Sequence, residues 1–399
     1  MKSIIISIAA LMAALYGYVH PVKVSGHIEG NTEWKGRVIL QGDVYVAPGT
    51  VLTVEPGTHI EYSKRKIKSE IQHLRNSSGG TYDIFREGKI ELIIAGDLVI
   101  NGTQEEPVVI KAPPDKETRA GGICFIGVKS TSTIRHTLIK GGYIGIRVYD
   151  GRAPYLVNLT VEDNDVGGVG CWDRSKPVIT ESIFVRNKYG IGASDISAPL
   201  IERSTVKNNS ASGIFFEGKS NGEVCSCLVT GNNVGVAFGD EALGRVMTST
   251  ISANGSGIGV WKKSAPEIID CDFTTNIVGI LVLDNSIPDV RANVFYKNGG
   301  GVTISDSGKP VISANIFREN GPGIVISGRS APDITENYFE GNDYALMAER
   351  VSRPRIKSNT FSENRVGILM EDYTKPVRSG NSFSRNSTDT LDNRLSRKK

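Results

Sequence analysis

The chain has 399 residues, with 46 Lys and Arg against 43 Asp and Glu and a net charge of +3. So even a balance excludes the strongly basic surface of a nucleic-acid partner, and no basic stripe recurs along the sequence. Glycine is abundant, at 45 residues, and long helix-favouring runs are scarce, which directs attention to self-similarity at a period of roughly 20–50 residues.

In chain order, Met1-Lys2 precedes an apolar run from Ile4 to Leu15. Its length fits an export signal and falls short of the roughly 20 residues of a transmembrane helix. Leu15-Tyr16-Gly17 is a poor small-x-small cleavage site. Residues 1–20 therefore read as a signal peptide or an uncleaved N-terminal anchor, and the expected location is secreted or periplasmic.

Residues 21–131 hold short alternating apolar runs cut by Gly and Pro, which are strand signals. An insertion near 63–89 interrupts them. It is basic from Lys64 to Arg75, with Ile67, Ile71 and Leu74 spaced as on one helix face. A short helix over the open end of a barrel is expected there, an interaction or lid segment being the alternative.

From 132 to 386 the sequence repeats every 22 or 23 residues in twelve coils. The pattern starts at Pro154, Pro177, Pro199, Pro266, Pro288, Pro310, Pro332, Pro354 and Pro376, with Ser132, Gly222 and Gly244 at the same position elsewhere. Ten residues on stands Asn164, Asn187, Asn209, Asn232, Asn254, Asn276, Asn298, Asn320, Asn342, Asn364 or Asn386, and only the first coil departs, with Gly142. An Asn side chain both donates and accepts, so stacked copies can bond one another and the turn they sit in. Seven past the anchor lies an apolar column that ends in Phe273, Phe295, Phe317, Phe339, Phe361 and Phe383, an expected aromatic stack. A glycine column follows, for example Gly190, Gly213, Gly257 and Gly323, where a turn with positive φ is expected. No single coil can bury its apolar face, but stacked coils share one core. Twelve coils at about 4.8 Å give a rod of about 58 Å. Ser387 to Lys399 reads as a polar tail.

These columns resemble the parallel β-helix repeat of bacterial proteins of the pectin-lyase-like superfamily, over residues 132–386. The stretch from Asn31 to Thr58, with Ala95 to Thr103 and Pro107 to Ile110, resembles the capping coils of such proteins. The resemblance implies an all-β, right-handed parallel β-helix solenoid. It does not fix a chemistry, because that fold hosts lyases, hydrolases, epimerases, binding modules and adhesins.

All five histidines (His20, His27, His59, His73, His136) precede the second coil, which removes His-based triads and metal sites from the main array. Five cysteines (Cys124, Cys171, Cys225, Cys227, Cys271) form an odd set and read as small buried residues. Carboxylates recur eighteen past the anchor: Asp150, Asp173, Asp195, Asp240, Asp284, Asp306 and Asp372. The first three occupy successive coils, so either a cation such as calcium relieves their repulsion or each Asp closes its own turn. Beside them, Tyr149 and Trp172 are expected to face outward over flat ground at Gly170 and Gly192, with Phe215 and Trp261 on the same face. An aromatic platform beside carboxylates suits a sugar ring, and edge packing against a loop is the alternative. Tyr149, Asp150, Trp172, Asp173 and Asp195 are thus the candidate ligand-binding set.

Pectate lyases, which the repeat resembles, place their cleft on the sheet two strands before the Asn turn. There the outward residues are Arg245, Glu267, Asp289 and Arg291, with Asp333 and Arg355 further along. Glu267, Asp289 and Arg291 are the candidates for β-elimination on an acidic sugar, although no lyase signature matches, and a solvated face of mixed charge is the alternative. The polygalacturonase Asp cluster and the epimerase Asp-Pro-His-Glu motif are absent. Three functions follow in order: binding of an extended partner, polysaccharide above all, along a rigid side; cleavage of acidic polysaccharide; or a periplasmic accessory role beside a metalloenzyme.

Overall fold

A computed structural model describes residues 20–64, 89–113, 120–127 and 131–395. The export or anchor segment, most of the basic insertion and the last four residues of the tail lie outside the described residues. What is described is all β: 43 short strands, every recorded pairing parallel, wound into a right-handed parallel solenoid of about 15 turns. At about 4.8 Å per turn the rod is about 70 Å long.

Each coil contributes three strands, and each strand pairs with its equivalents one coil before and after. The first sheet follows the Pro anchor, as in Glu267–Ile269 and Asp289–Arg291. The second carries the Phe column, as in Asp272–Thr274 and Val294–Tyr296. The third follows the Asn turn, as in Val278–Val282 and Gly300–Ile304. The described residues between 21 and 131 continue all three: Val22–Ile28 pairs with Arg37–Val46, and that strand with Ile90–Ile94. A parallel strand must be re-entered from the same end, so three turns per coil carry the chain round a single apolar core.

The core columns stand as the repeat dictates. Phe273, Phe295, Phe317, Phe339, Phe361 and Phe383 stack with centroids 4.6–5.0 Å apart and planes within 5–12°. The Asn ladder runs unbroken: from Asn164 to Asn364, each backbone N–H donates to the Oδ1 of the next Asn at 2.9–3.1 Å. Gly142, the one departure, donates its N–H to Asn164 Oδ1 and closes the ladder without a side chain.

One expectation needs correction. The glycine column does not serve positive φ: Gly190, Gly213, Gly257 and Gly323 are absent from the left-handed residues and lie inside third-sheet strands. They are required by close approach. At Gly279 a Cβ would meet the carbonyl of Gly301 at 2.5 Å and the Phe295 ring at 2.9 Å. Cys124, Cys171, Cys227 and Cys271 are buried as expected, and two of them also carry hydrogen bonds. Cys227 and Cys271 belong to a second ladder, five past the anchor, shared with Ser182, Ser204, Ser249, Asn293, Asn315, Asn337, Asn359 and Asn381. The Cys271 N–H donates to Asn293 Oδ1 at 2.9 Å, and its thiol to the Ile269 carbonyl at 3.3 Å. Cys225 is partly exposed.

Candidate functional site

The aspartate column lies in the turn after the third sheet, where Asp150, Asp173, Asp195, Asp240, Asp284, Asp306 and Asp372 all have φ between 52 and 61°. Asp tolerates this left-handed geometry better than most residues. Its carboxylates are spent on backbone, one coil away: Asp195 Oδ2 accepts from the Asp173 N–H at 3.0 Å, Asp173 Oδ2 from the Asp150 N–H at 3.4 Å, and Asp150 Oδ2 from the Gly127 N–H at 3.3 Å. Each of these three therefore closes the preceding turn, not its own. Among the described residues no three His, Cys, Asp or Glu side chains form a group that could hold a metal ion, so Asp150, Asp173 and Asp195 are not gathered into a calcium cage. Burial, with the like charges of Asp150 and Asp195, raises the Asp173 pKa against the pull of its backbone bond.

The aromatic residues beside them behave differently from an open platform. Tyr149 is buried, 7% exposed, in a small apolar cluster with Ile93, Cys124 and Ile126. Trp172 stacks on it at 4.9 Å and 14°. The glycines are not bare ground: Trp172 lies over Gly170, Phe215 over Gly192, and Trp261 over Gly239 and Gly259, so close that a Cβ at any of these glycines would overlap a ring. Tyr189 meets Phe215 edge-on at 4.9 Å. The available surface is thus made of Trp172, Phe215 and Trp261, each only partly exposed and laid flat.

This pattern extends along the third sheet from Gly170 onward, the position one coil earlier being Arg147, which the repeat did not reveal. Register places Gly170, Gly192, Phe215, Ala237, Gly259, Leu281, Thr303, Val325, Met347, Leu369 and Leu391 in one outward column. No ionisable side chain stands in it. The signal was legible as an outward position that never takes a charge over eleven coils.

The first sheet is the opposite. Arg291 bridges Asp289 at 3.1 Å and Glu267 at 3.5 Å, Arg245 meets Glu223 at 3.7 Å, and Arg355 meets Asp333 at 3.7 Å, all with substantially exposed side chains. The structure brings Glu267, Asp289 and Arg291 together, as a solvated ion-pair row.

A third constellation escaped the sequence reading. On the outer side of the third sheet's N-terminal coils, Glu91 and Arg147 form an ion pair, with Glu91 1% and Arg147 2% exposed. Gly121 clears the space, since a Cβ there would overlap the Glu91 carboxyl. Asp43 accepts the Glu91 N–H at 3.0 Å. Burial pushes the Glu91 carboxyl up to about 7 despite the guanidinium, and pushes the Cys124 thiol up to about 12. Two charges at outward positions of otherwise apolar strands were the available signal. At this depth the pair fixes the strands to one another and meets no solvent.

Two family models match the chain, each over less than half of it. "Right handed beta helix region" covers residues 116–243, and "Periplasmic copper-binding protein (NosD)" covers residues 241–395. No curated protein matches the sequence. Solved structures with a similar fold include the pectate lyase Pel9A, with 14% identity, 65% of this chain and 70% of that one covered, and a TM-score of 0.44. The periplasmic alginate epimerase AlgG shows 12% identity over 90% of this chain and 78% of its own, with a TM-score of 0.44. The A-module of the Azotobacter vinelandii mannuronan C-5 epimerase AlgE6 shows 14% identity over 89% and 91%, with a TM-score of 0.42. By its repeat, its parallel coils and the right-handed β-helix model that matches residues 116–243, the chain has the fold of a right-handed parallel β-helix protein.

Proposed function

We propose that this chain is an exported, periplasmic protein that binds an extended polysaccharide along the outer face of its third sheet without cleaving it. The observation that supports this reading is the uncharged outward column, with Trp172, Phe215 and Trp261 laid flat over its glycines. An aromatic ring gives the apolar face of a sugar a stacking partner. A regular, unpocketed side suits a polymer better than a small molecule. The periplasmic family matched over residues 241–395 supports the compartment. Phe215 and Trp261 make the better probes, because Trp172 also covers buried Tyr149. Retardation in gels cast with acidic or neutral polysaccharide, with calcium and with chelator, is expected to weaken in Phe215→Ala and Trp261→Ala, with no ultraviolet-absorbing product released. Product release that stops on Asp289→Ala would instead make the protein a lyase.

A periplasmic accessory role is the second reading, favoured by the NosD match. Copper sites draw on Cys, Met and His. Residues 241–395 contain no His, and offer Cys271 and Met370, both buried in the core, with Met247 and Met347 on separate coils. These residues do not fit a copper site, so the accessory reading concerns a protein partner and not metal carriage by this segment.

A further inference from the structure

Exposed apolar side chains scattered singly over a surface are ordinary, but in the last coils three of them stack. The Val351 N–H donates to the Gly328 carbonyl, the Tyr373 N–H to the Arg350 carbonyl and the Leu395 N–H to the Asp372 carbonyl. They thus hold one position on three successive coils, with backbones about 4.8 Å apart. They are 39%, 41% and 57% exposed. In the three coils before, the same position is Asn285, Ser307 and Arg329. A polar row of turns after the third sheet therefore gives way to a short apolar ridge.

Charge changes sign over the same stretch. Residues 349–399 hold twelve Lys and Arg against six Asp and Glu, a net +6, while the whole chain carries +3. The rest of the chain is therefore net acidic. Val351 and Tyr373 line both of two adjoining notches, with Leu395 in the second. Five cations, Arg329, Arg350, Arg353, Lys375 and Arg394, line these notches against three acids, Asp306, Asp372 and Asp392. Apolar side chains ringed by a cationic excess match an anionic phospholipid surface, which takes the first into its acyl boundary and attracts the second. A protein partner fits less well. Three side chains along about 10 Å of ridge cannot supply the roughly 1,000 Å² that a specific protein interface buries.

We propose that the last coils dock the rod onto an anionic phospholipid surface. Val351, Tyr373 and Leu395 enter the interface, where a tyrosine ring sits at headgroup level. Arg353 and Lys375, both exposed, reach the headgroup phosphates on their long stems. This surface lies apart from Phe215 and Trp261, and the inference does not rest on polysaccharide binding.

The test is co-sedimentation of the full chain with vesicles of equimolar phosphatidylglycerol and phosphatidylcholine, and with vesicles of phosphatidylcholine alone. Binding is expected to be about tenfold tighter to the anionic vesicles and to weaken as salt screens it. Arg353→Gln/Lys375→Gln should weaken it about twentyfold, at about fivefold per cation. Val351→Ser/Tyr373→Ser/Leu395→Ser should weaken it about tenfold, as apolar surface is withdrawn. Should the triple variant fail to fold, the charge variant and the salt dependence decide alone. Phe215→Ala should bind vesicles like the parent. Equal binding to both vesicles, or binding indifferent to the charge variant, would overturn the proposal and point to the apolar run from Ile4 to Leu15. A parent that is dimeric without lipid and made monomeric by the triple variant would overturn it too, assigning the ridge to a second copy.

Discussion

Asn298→Ala tests what holds the coils in register. Asn298 Oδ1 accepts the Asn276 N–H and side-chain amide, each at 3.0 Å, while its own amide donates to the Phe273 carbonyl at 2.9 Å and to Asn320 Oδ1 at 3.0 Å. After truncation, Asn320 Oδ1 keeps the Asn298 N–H and the Asn276 amide keeps the Ile251 carbonyl. One buried backbone group is then orphaned, the Asn276 N–H, because the Phe273 carbonyl keeps the Tyr296 N–H of the strand pairing. An unpaired buried group costs about 1–3 kcal/mol, so a loss of about 2 kcal/mol is expected, read from the urea midpoint and slope. Asn386→Ala at the partly exposed end of the ladder should cost about 1 kcal/mol, because Asn386 Oδ1 serves Asn364 alone and water can replace it. A loss below about 0.5 kcal/mol at Asn298, or equal losses at the two positions, would refute the view that the ladder satisfies otherwise stranded backbone.

Three further outcomes follow from the same geometry. Gly279→Ala should prevent native stacking around that coil, seen as protease sensitivity, because its Cβ would meet backbone and a buried ring at once. Glu91 has a pKa raised on folding from 4.5 to about 7, so its contribution is complete below about pH 4.5 and is lost as pH rises through 7. Melting temperature should fall between pH 5 and 8, and Glu91→Gln should flatten that slope. A thiol reagent should label Cys225 quickly and one equivalent only, since Cys124, Cys171, Cys227 and Cys271 are buried with their thiols pushed up by burial; rapid labelling of a second thiol would contradict this.

The fold was readable because some positions are held by one residue type: stacked Asn and stacked Phe make only themselves a good neighbour. Positions that several residue types can fill were harder to see. Ser204, Cys227, Ser249 and Asn293 do one job in the second ladder, and no shared letter marks them. The glycines were seen but misread, because a sequence shows that a Cβ is absent without showing whether φ or a neighbouring carbonyl excludes it. For the candidate site, Trp172 and the aspartates were correctly placed side by side. Tyr149 was placed outward, yet burial depends on what packs over a strand and no period encodes that. Glu91 lies outside the regular repeat, 56 residues before Arg147 in its first coil, so nothing in spacing joined them.

The ladders also set how the rod would respond to force. Every rung is tied to its neighbours by side-chain bonds along the axis as well as by strand pairing, so tension applied at the two ends should peel one coil at a time. Each released coil of 22 residues adds about 70 Å of chain, and the record should be a series of evenly spaced yield events. The molecule would act as a ratcheted spring that gives way in fixed steps and keeps its remaining length stiff.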